Sequence, residues 1–165
     1  MQRRLLLSQG ALLALTACGF QLRGVATFAF DSIHVTTAET SALGNELKRT
    51  LTSLGSVRVI TDPALLPSAQ AVLDILLEQR EKTVVGVNAS GQVREFQIRL
   101  RVRFKLRTPQ GKELIADTEL LQQRDISFNE SAVLAKETEE GLMYRDMQSA
   151  IVQQLMRRLA AVKTL

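Results

Sequence analysis

Hydrophobic and polar positions change period several times along this chain, and each change marks an element. The sharpest pattern lies at 96–107, where Phe96, Ile98, Leu100, Val102, Phe104 and Leu106 alternate with Gln97, Arg99, Arg101, Arg103, Lys105 and Arg107. Successive side chains of a strand point to opposite faces. The segment therefore predicts a long strand, apolar on one side and cationic on the other. Residues 71–85 read the same way, with Leu73, Ile75 and Leu77 on one face and Asp74, Glu78 and Arg80 on the other. Residues 114–126 continue the alternation, and turn-forming runs separate the three strands: Asn88-Ala89-Ser90-Gly91, then Pro109-Gln110-Gly111.

Helical spacing takes over elsewhere. Leu43, Leu47, Thr50, Leu51 and Leu54 fall at i, i+4, i+7, i+8 and i+11, with Thr40 or Ser41 as cap and Gly55 where a left-handed residue ends a helix. Ile33-His34-Val35 and Val57-Arg58-Val59-Ile60 flank that helix as short strands, and a proline-containing loop follows at 62–67. A longer helix is predicted over 131–162, with Tyr144, Met147, Ile151, Leu155 and Leu159 on its apolar stripe and Asn129 as cap. A sheet with one apolar face and two amphipathic helices to cover it make an α+β two-layer sandwich. Both helices pack on one face of a mixed, largely antiparallel four- to five-stranded sheet.

The first residues do not belong to that domain. Arg3 and Arg4 precede an apolar run at 5–15, too short for a membrane-spanning helix, which needs about 20 residues. Leu15-Thr16-Ala17 then leads into Cys18, the only cysteine. This order resembles a bacterial lipobox, in which the thiol is acylated and the leader is cut just before it; the alternative is a plain secretory signal. The reading divides the chain into a signal peptide, 1–17, and a single domain, 18–165, anchored through Cys18. Gly19, in place of an aspartate, favours the outer membrane. Several acyl chains give stable anchoring where one alone is marginal.

Removing the leader changes the charge. The whole chain carries 21 Lys+Arg and 17 Asp+Glu, and losing Arg3 and Arg4 leaves 19 against 17. The basic character belongs partly to the leader, so nucleic acid is not an expected partner. With Cys18 acylated, no thiol remains for a disulfide or a metal. The covalent lipid is the only prosthetic group expected, with no cofactor and no metal site.

Five cations on one face of one strand, Arg99 to Arg107, could bind a polyanion, since guanidinium groups take phosphate in bidentate fashion. A three-residue tip at 109–111 sets Arg107 opposite Glu113, Arg103 opposite Asp117 and Arg101 opposite Glu119, with Leu106 opposite Leu114 and Phe104 opposite Ala116. In that register only Arg99 and Lys105 lack a carboxylate directly opposite. A cross-strand salt ladder and an anion-binding face both stand, and they can coexist.

Catalytic patterns are lacking. His34 is the only histidine, no nucleophile elbow occurs, and no glycine-rich phosphate loop precedes a helix. The carboxylates of the charged face have arginine neighbours, which makes them poor general acids. The chain is not expected to be an enzyme.

Cys18 with Gly19-Phe20-Gln21-Leu22-Arg23-Gly24, then Gly91-Gln92, Glu95-Phe96-Gln97 and Leu134-Ala135-Lys136, resembles the lipopolysaccharide-assembly lipoprotein family LptE, once called RlpB. The resemblance covers nearly all of 18–165. It implies an outer-membrane lipoprotein that plugs the lumen of the barrel LptD, assists its assembly, and contacts lipopolysaccharide on its way to the outer leaflet of a Gram-negative envelope. The family's proposed lipopolysaccharide contacts are basic residues near one end of the sheet. One such arginine, beside the central Gly-Gln, has no counterpart here, where Asn88, Ala89 and Ser90 form the turn. Lys82 and Arg94 can substitute for it, and Arg124 and Lys136 can contribute at the start of the last helix. With Arg99 and Lys105 from the cationic strand, these complete the candidate anion-binding residues. The alternative is a periplasm-facing lipoprotein that binds a small anionic ligand or another envelope protein.

Overall fold

The computed structural model describes residues 27–129 and 133–165. In chain order the elements are β1 (Ser32–Thr36), α1 (Ala42–Ser53), β2 (Arg58–Ile60), a 3-10 segment (Pro63–Ser68), β3 (Ala71–Val87), β4 (Val93–Arg107), β5 (Glu113–Ser127) and α2 (Val133–Ala161). The strands form one sheet in the order β2-β1-β3-β4-β5. β1 runs parallel to both its neighbours, whereas β3, β4 and β5 are antiparallel, so the sheet is mixed as the pattern predicts.

The alternation of β4 determines where the core lies. Ile98, Leu100, Val102, Phe104 and Leu106 are all fully buried on one face of the central strand. They join Leu43, Leu47 and Leu51 of α1 and Met147, Ile151, Leu155 and Leu159 of α2 in a single apolar cluster. Each such side chain contributes about 1.5–3 kcal/mol by leaving water, so this layer dominates the stability of the sheet. Ser41 caps α1, accepting from the Gly44 amide at 2.8 Å. The expected left-handed glycines are in place, with φ of 68° at Gly55 and 96° at Gly111. Cys18, the leader and the junction that follows Asn129, 130–132, lie outside the described residues.

Two expectations fail, both because of bulges. β3 gains a residue between Ile75, which pairs with Phe104, and Leu77, which pairs with Arg103. From there the faces exchange: Leu77 joins the cationic side, while Glu78, Arg80 and Lys82 stand opposite Val102, Leu100 and Ile98 on the helix side. The hairpin register also departs from the simple one. Arg107 does face Glu113, but Leu106 pairs with Ile115, Phe104 with Thr118 and Arg103 with Glu119. Two irregularities near the tip displace β5, and Leu114 and Ala116 lose their expected partners.

Candidate anion-binding surfaces

Carboxylates from both neighbouring strands meet the cations of the outer face. Arg103 pairs with Asp117 through Nε and Nη2. Arg101 lies 3.5 Å from Glu119 and 3.6 Å from Glu81. The expected partners of Arg101 and Arg103 are therefore right, although they are reached diagonally. Arg107 turns the other way, and its Nε donates to Asp74 of β3 at 2.7 Å. Arg99 and Lys105 remain without an ion pair among the described residues. The reason is only partly the expected one. Glu81 and Asp74 stand directly opposite them on β3, but those carboxylates are drawn to Arg101 and Arg107 instead. Arg99 donates to Gln97 Oε1 at 2.8 Å.

Three other candidates gather on the helix side at the far end of the sheet. Lys82, Ile98 and Arg124 lie in one cross-strand row, and Lys136 sits above on the first turns of α2. Lys82 contacts Glu140 at 2.6 Å and lies 4.4 Å from the centre of the Phe96 ring. Lys136 contacts Glu139 at 2.7 Å and the Ser127 hydroxyl at 3.2 Å. Arg124 is exposed and, among the described residues, donates to the Gln123 carbonyl at 2.9 Å. Arg94 is exposed beside the bulge at the start of β4, where its carbonyl accepts from the Phe128 amide. The structure thus splits the six candidates: Arg99 and Lys105 lie on the outer face, and the other four lie toward the end of the sheet that holds the β3–β4 turn.

His34 makes a backbone contact, Nδ1 to the Ile60 carbonyl at 2.9 Å, which ties β1 to β2. Tyr144 reaches from α2 to donate to the Glu81 carbonyl at 2.8 Å, with the Arg80 guanidinium 5.0 Å over its ring. Burial, and then the charge of Glu140, raise its pKa above the ordinary 10.0, against the opposing charge of Arg80.

The periodicity did not single out a third cationic group. Arg49 of α1, Arg80 of β3 and Arg145 of α2 line an open cleft of about 570 Å³ between the helices. They come from three separate elements, and the β3 bulge is what turns Arg80 to this side, so no local motif announces them.

The family model LptE, lipopolysaccharide-assembly, matches residues 30–159. Among solved structures, an uncharacterized lipoprotein B from Nitrosomonas europaea is 31% identical with a TM-score of 0.74, over 87% of this chain and 91% of its own. The rare lipoprotein B of Shewanella oneidensis shares the fold at 20% identity and a TM-score of 0.66, over 79% and 94%. A minor lipoprotein from Acinetobacter baumannii does so at 22% and 0.64, over 82% and 94%. A search of curated proteins finds no match.

Proposed function

The chain belongs to the LptE lipopolysaccharide-assembly family, and from that premise we propose that it is the outer-membrane lipoprotein subunit of a lipopolysaccharide translocon. In this reading, Cys18 carries the lipid anchor, the domain sits in the lumen of an LptD-type barrel and assists its assembly, and its basic residues contact lipopolysaccharide during insertion into the outer leaflet. The observation that carries the reading is the outer face of β3, β4 and β5. It is long and polar, and its charges are largely matched between strands. Such a face can lie against the polar interior of a barrel with only Arg99 and Lys105 left to find partners there. An acyl anchor would confine the search for that barrel to the membrane surface. Lys82, Arg124 and Lys136, gathered at one end, supply cations for the phosphates of the transported lipid.

The test is expression with the native leader and a tag in the protein's own host, followed by identification of what co-purifies from the outer membrane in detergent. A stoichiometric large barrel protein is expected, with Arg124→Ala and Lys136→Ala lowering the lipopolysaccharide recovered but not the barrel. Recovery of a lone monomer would overturn the reading and leave an anchored lipoprotein that binds a small anionic ligand or another envelope protein.

A further inference from the structure

The cleft between the helices has an unusual lining. Its charged residues are Arg49, Arg80 and Arg145, and no carboxylate is among the residues that form it. None of the three makes an ion pair among the described residues. Among the described residues Arg80 alone of the three has a partner, the face of the Tyr144 ring. Among the described residues, Lys82, Arg101, Arg103, Arg107 and Lys136 do have a carboxylate partner, whereas these three arginines from three elements share one space without one. The Glu46 carboxylate accepts from Gln148 of the lining at 2.7 Å and makes no ion pair with the three arginines, which repel one another, and an anion in that space would relieve the repulsion.

A second cavity adjoins the first. It measures about 520 Å³ and shares Thr40, Ala42 and Arg80 with the basic cleft. Its wall on β3 is Ile75, Leu76 and Leu77, and Leu76 is 44% exposed there. Glu78 is the only acidic residue lining either space, and its carboxylate is engaged by the Ser41 hydroxyl at 2.6 Å. Arg80 stands on the boundary, with a cationic space on one side and, on the other, one of mixed lining to which Ile75 and Leu76 add apolar surface. Each volume lies within the range typical of ligand pockets, about 300–1,000 Å³, and is far larger than an inorganic ion needs.

We propose that these joined cavities bind a phosphorylated amphiphile, the phosphorylated headgroup held by Arg49, Arg80 and Arg145 and the apolar part laid along Ile75 and Leu76. Arginine suits this role because its planar fork meets two phosphate oxygens at once. The site is separate from the Lys82, Arg124 and Lys136 group. It rests on the lipopolysaccharide reading only so far as that lipid is itself a phosphorylated amphiphile, and it gives the transported molecule a second contact, between the helices.

The test uses the full chain in an uncharged detergent and measures binding of three probes: lipid A, lipid A stripped of its phosphates, and inorganic phosphate. Lipid A is expected to bind, the stripped lipid to bind far more weakly, and Arg49→Gln/Arg145→Gln to weaken lipid A by about tenfold or more, as expected when charge-assisted contacts are lost. Arg58→Gln, an exposed charge loss on β2, serves as the control and is expected to bind like the wild type. Both cleft arginines are exposed, so their replacement should leave the melting temperature in place, and the same samples verify this. Unchanged affinity in the double variant, with loss in Lys82→Gln or Arg124→Gln, would overturn the cleft while keeping lipopolysaccharide contact. No binding of lipid A to any form would overturn both. Inorganic phosphate binding as tightly as lipid A would show a site for the free ion, and the amphiphile proposal would fall.

Discussion

Tyr144 is the only tyrosine in the chain, and it joins α2 to β3 through two contacts. Its ring lies under Arg80 and its hydroxyl bonds the backbone of β3 at Glu81. Burial favours the neutral phenol, so the folded-state pKa lies above the unfolded value of 10.0. A group whose pKa rises on folding contributes stability that is complete below the unfolded value and is lost as pH climbs through the folded one. The melting temperature is therefore expected to fall more steeply above pH 10.0 in the wild type than in Tyr144→Phe. Phenolate absorbance, which reports this one residue directly, should give a midpoint above 10.0 in the folded protein, and a midpoint at or below it would contradict the burial argument. At this scale the sequence told part of the story. Tyr144 was legible as a member of the apolar stripe of α2, but its polar end was not, because its partner is a carbonyl that the fold alone brings near.

Ser41 shows what decides the ends of an element. Its side chain accepts from the Gly44 amide and donates to Glu78 Oε2, so one hydroxyl both caps α1 and fastens it to β3. Ser41→Ala is expected to lower stability by about 1–2 kcal/mol in denaturant unfolding, a value typical of a lost cap. Ser41→Asp would preserve the cap in an isolated helix, but here it sets a second carboxylate beside Glu78. It should therefore destabilise as well, and Ser41→Asp/Glu78→Gln should recover most of the loss. Equal stability of Ser41→Asp with and without Glu78→Gln would show that the two side chains are not coupled. The helix, its cap and its glycine end were all legible from spacing and capping chemistry. The contact with Glu78 was not, since strict alternation places Glu78 on the outer face. The bulge in β3 falls within the apolar run Ile75-Leu76-Leu77, where an extra residue leaves no mark in the pattern. It reverses the faces from Leu77 to Val84, where the next irregularity in β3 falls. The same holds for β5, where the displaced register changed which residues stand opposite each other but not the carboxylates that Arg101 and Arg103 find.

The whole molecule separates stability from surface chemistry by layer. The helix side of β4 holds the core, and the outer side holds the charges. This division was legible in the alternation alone, because a strand that is apolar on one face and cationic on the other can bury only one of them. Whether the cations hold the sheet together or meet a partner was not legible, since both uses require the same residues. The magnitudes distinguish the two. Arg101 and Arg103 have side chains 33% and 47% exposed, so solvent screens their ion pairs and each contributes little to folding. Phe104, fully buried and next to Arg103 in sequence, should cost about 3–5 kcal/mol on replacement by alanine. Arg101→Gln/Arg103→Gln is therefore expected to melt close to the wild type while recovering markedly less barrel protein in co-purification. Phe104→Ala should lose stability first and barrel only as a consequence. If the double arginine variant instead unfolds as readily as Phe104→Ala, the outer face is a ladder that holds the strands, and the partner must dock elsewhere. If it keeps both stability and barrel, the charges serve solubility alone. Lower recovery at unchanged stability is the result that would mark this face as the surface turned toward the barrel wall.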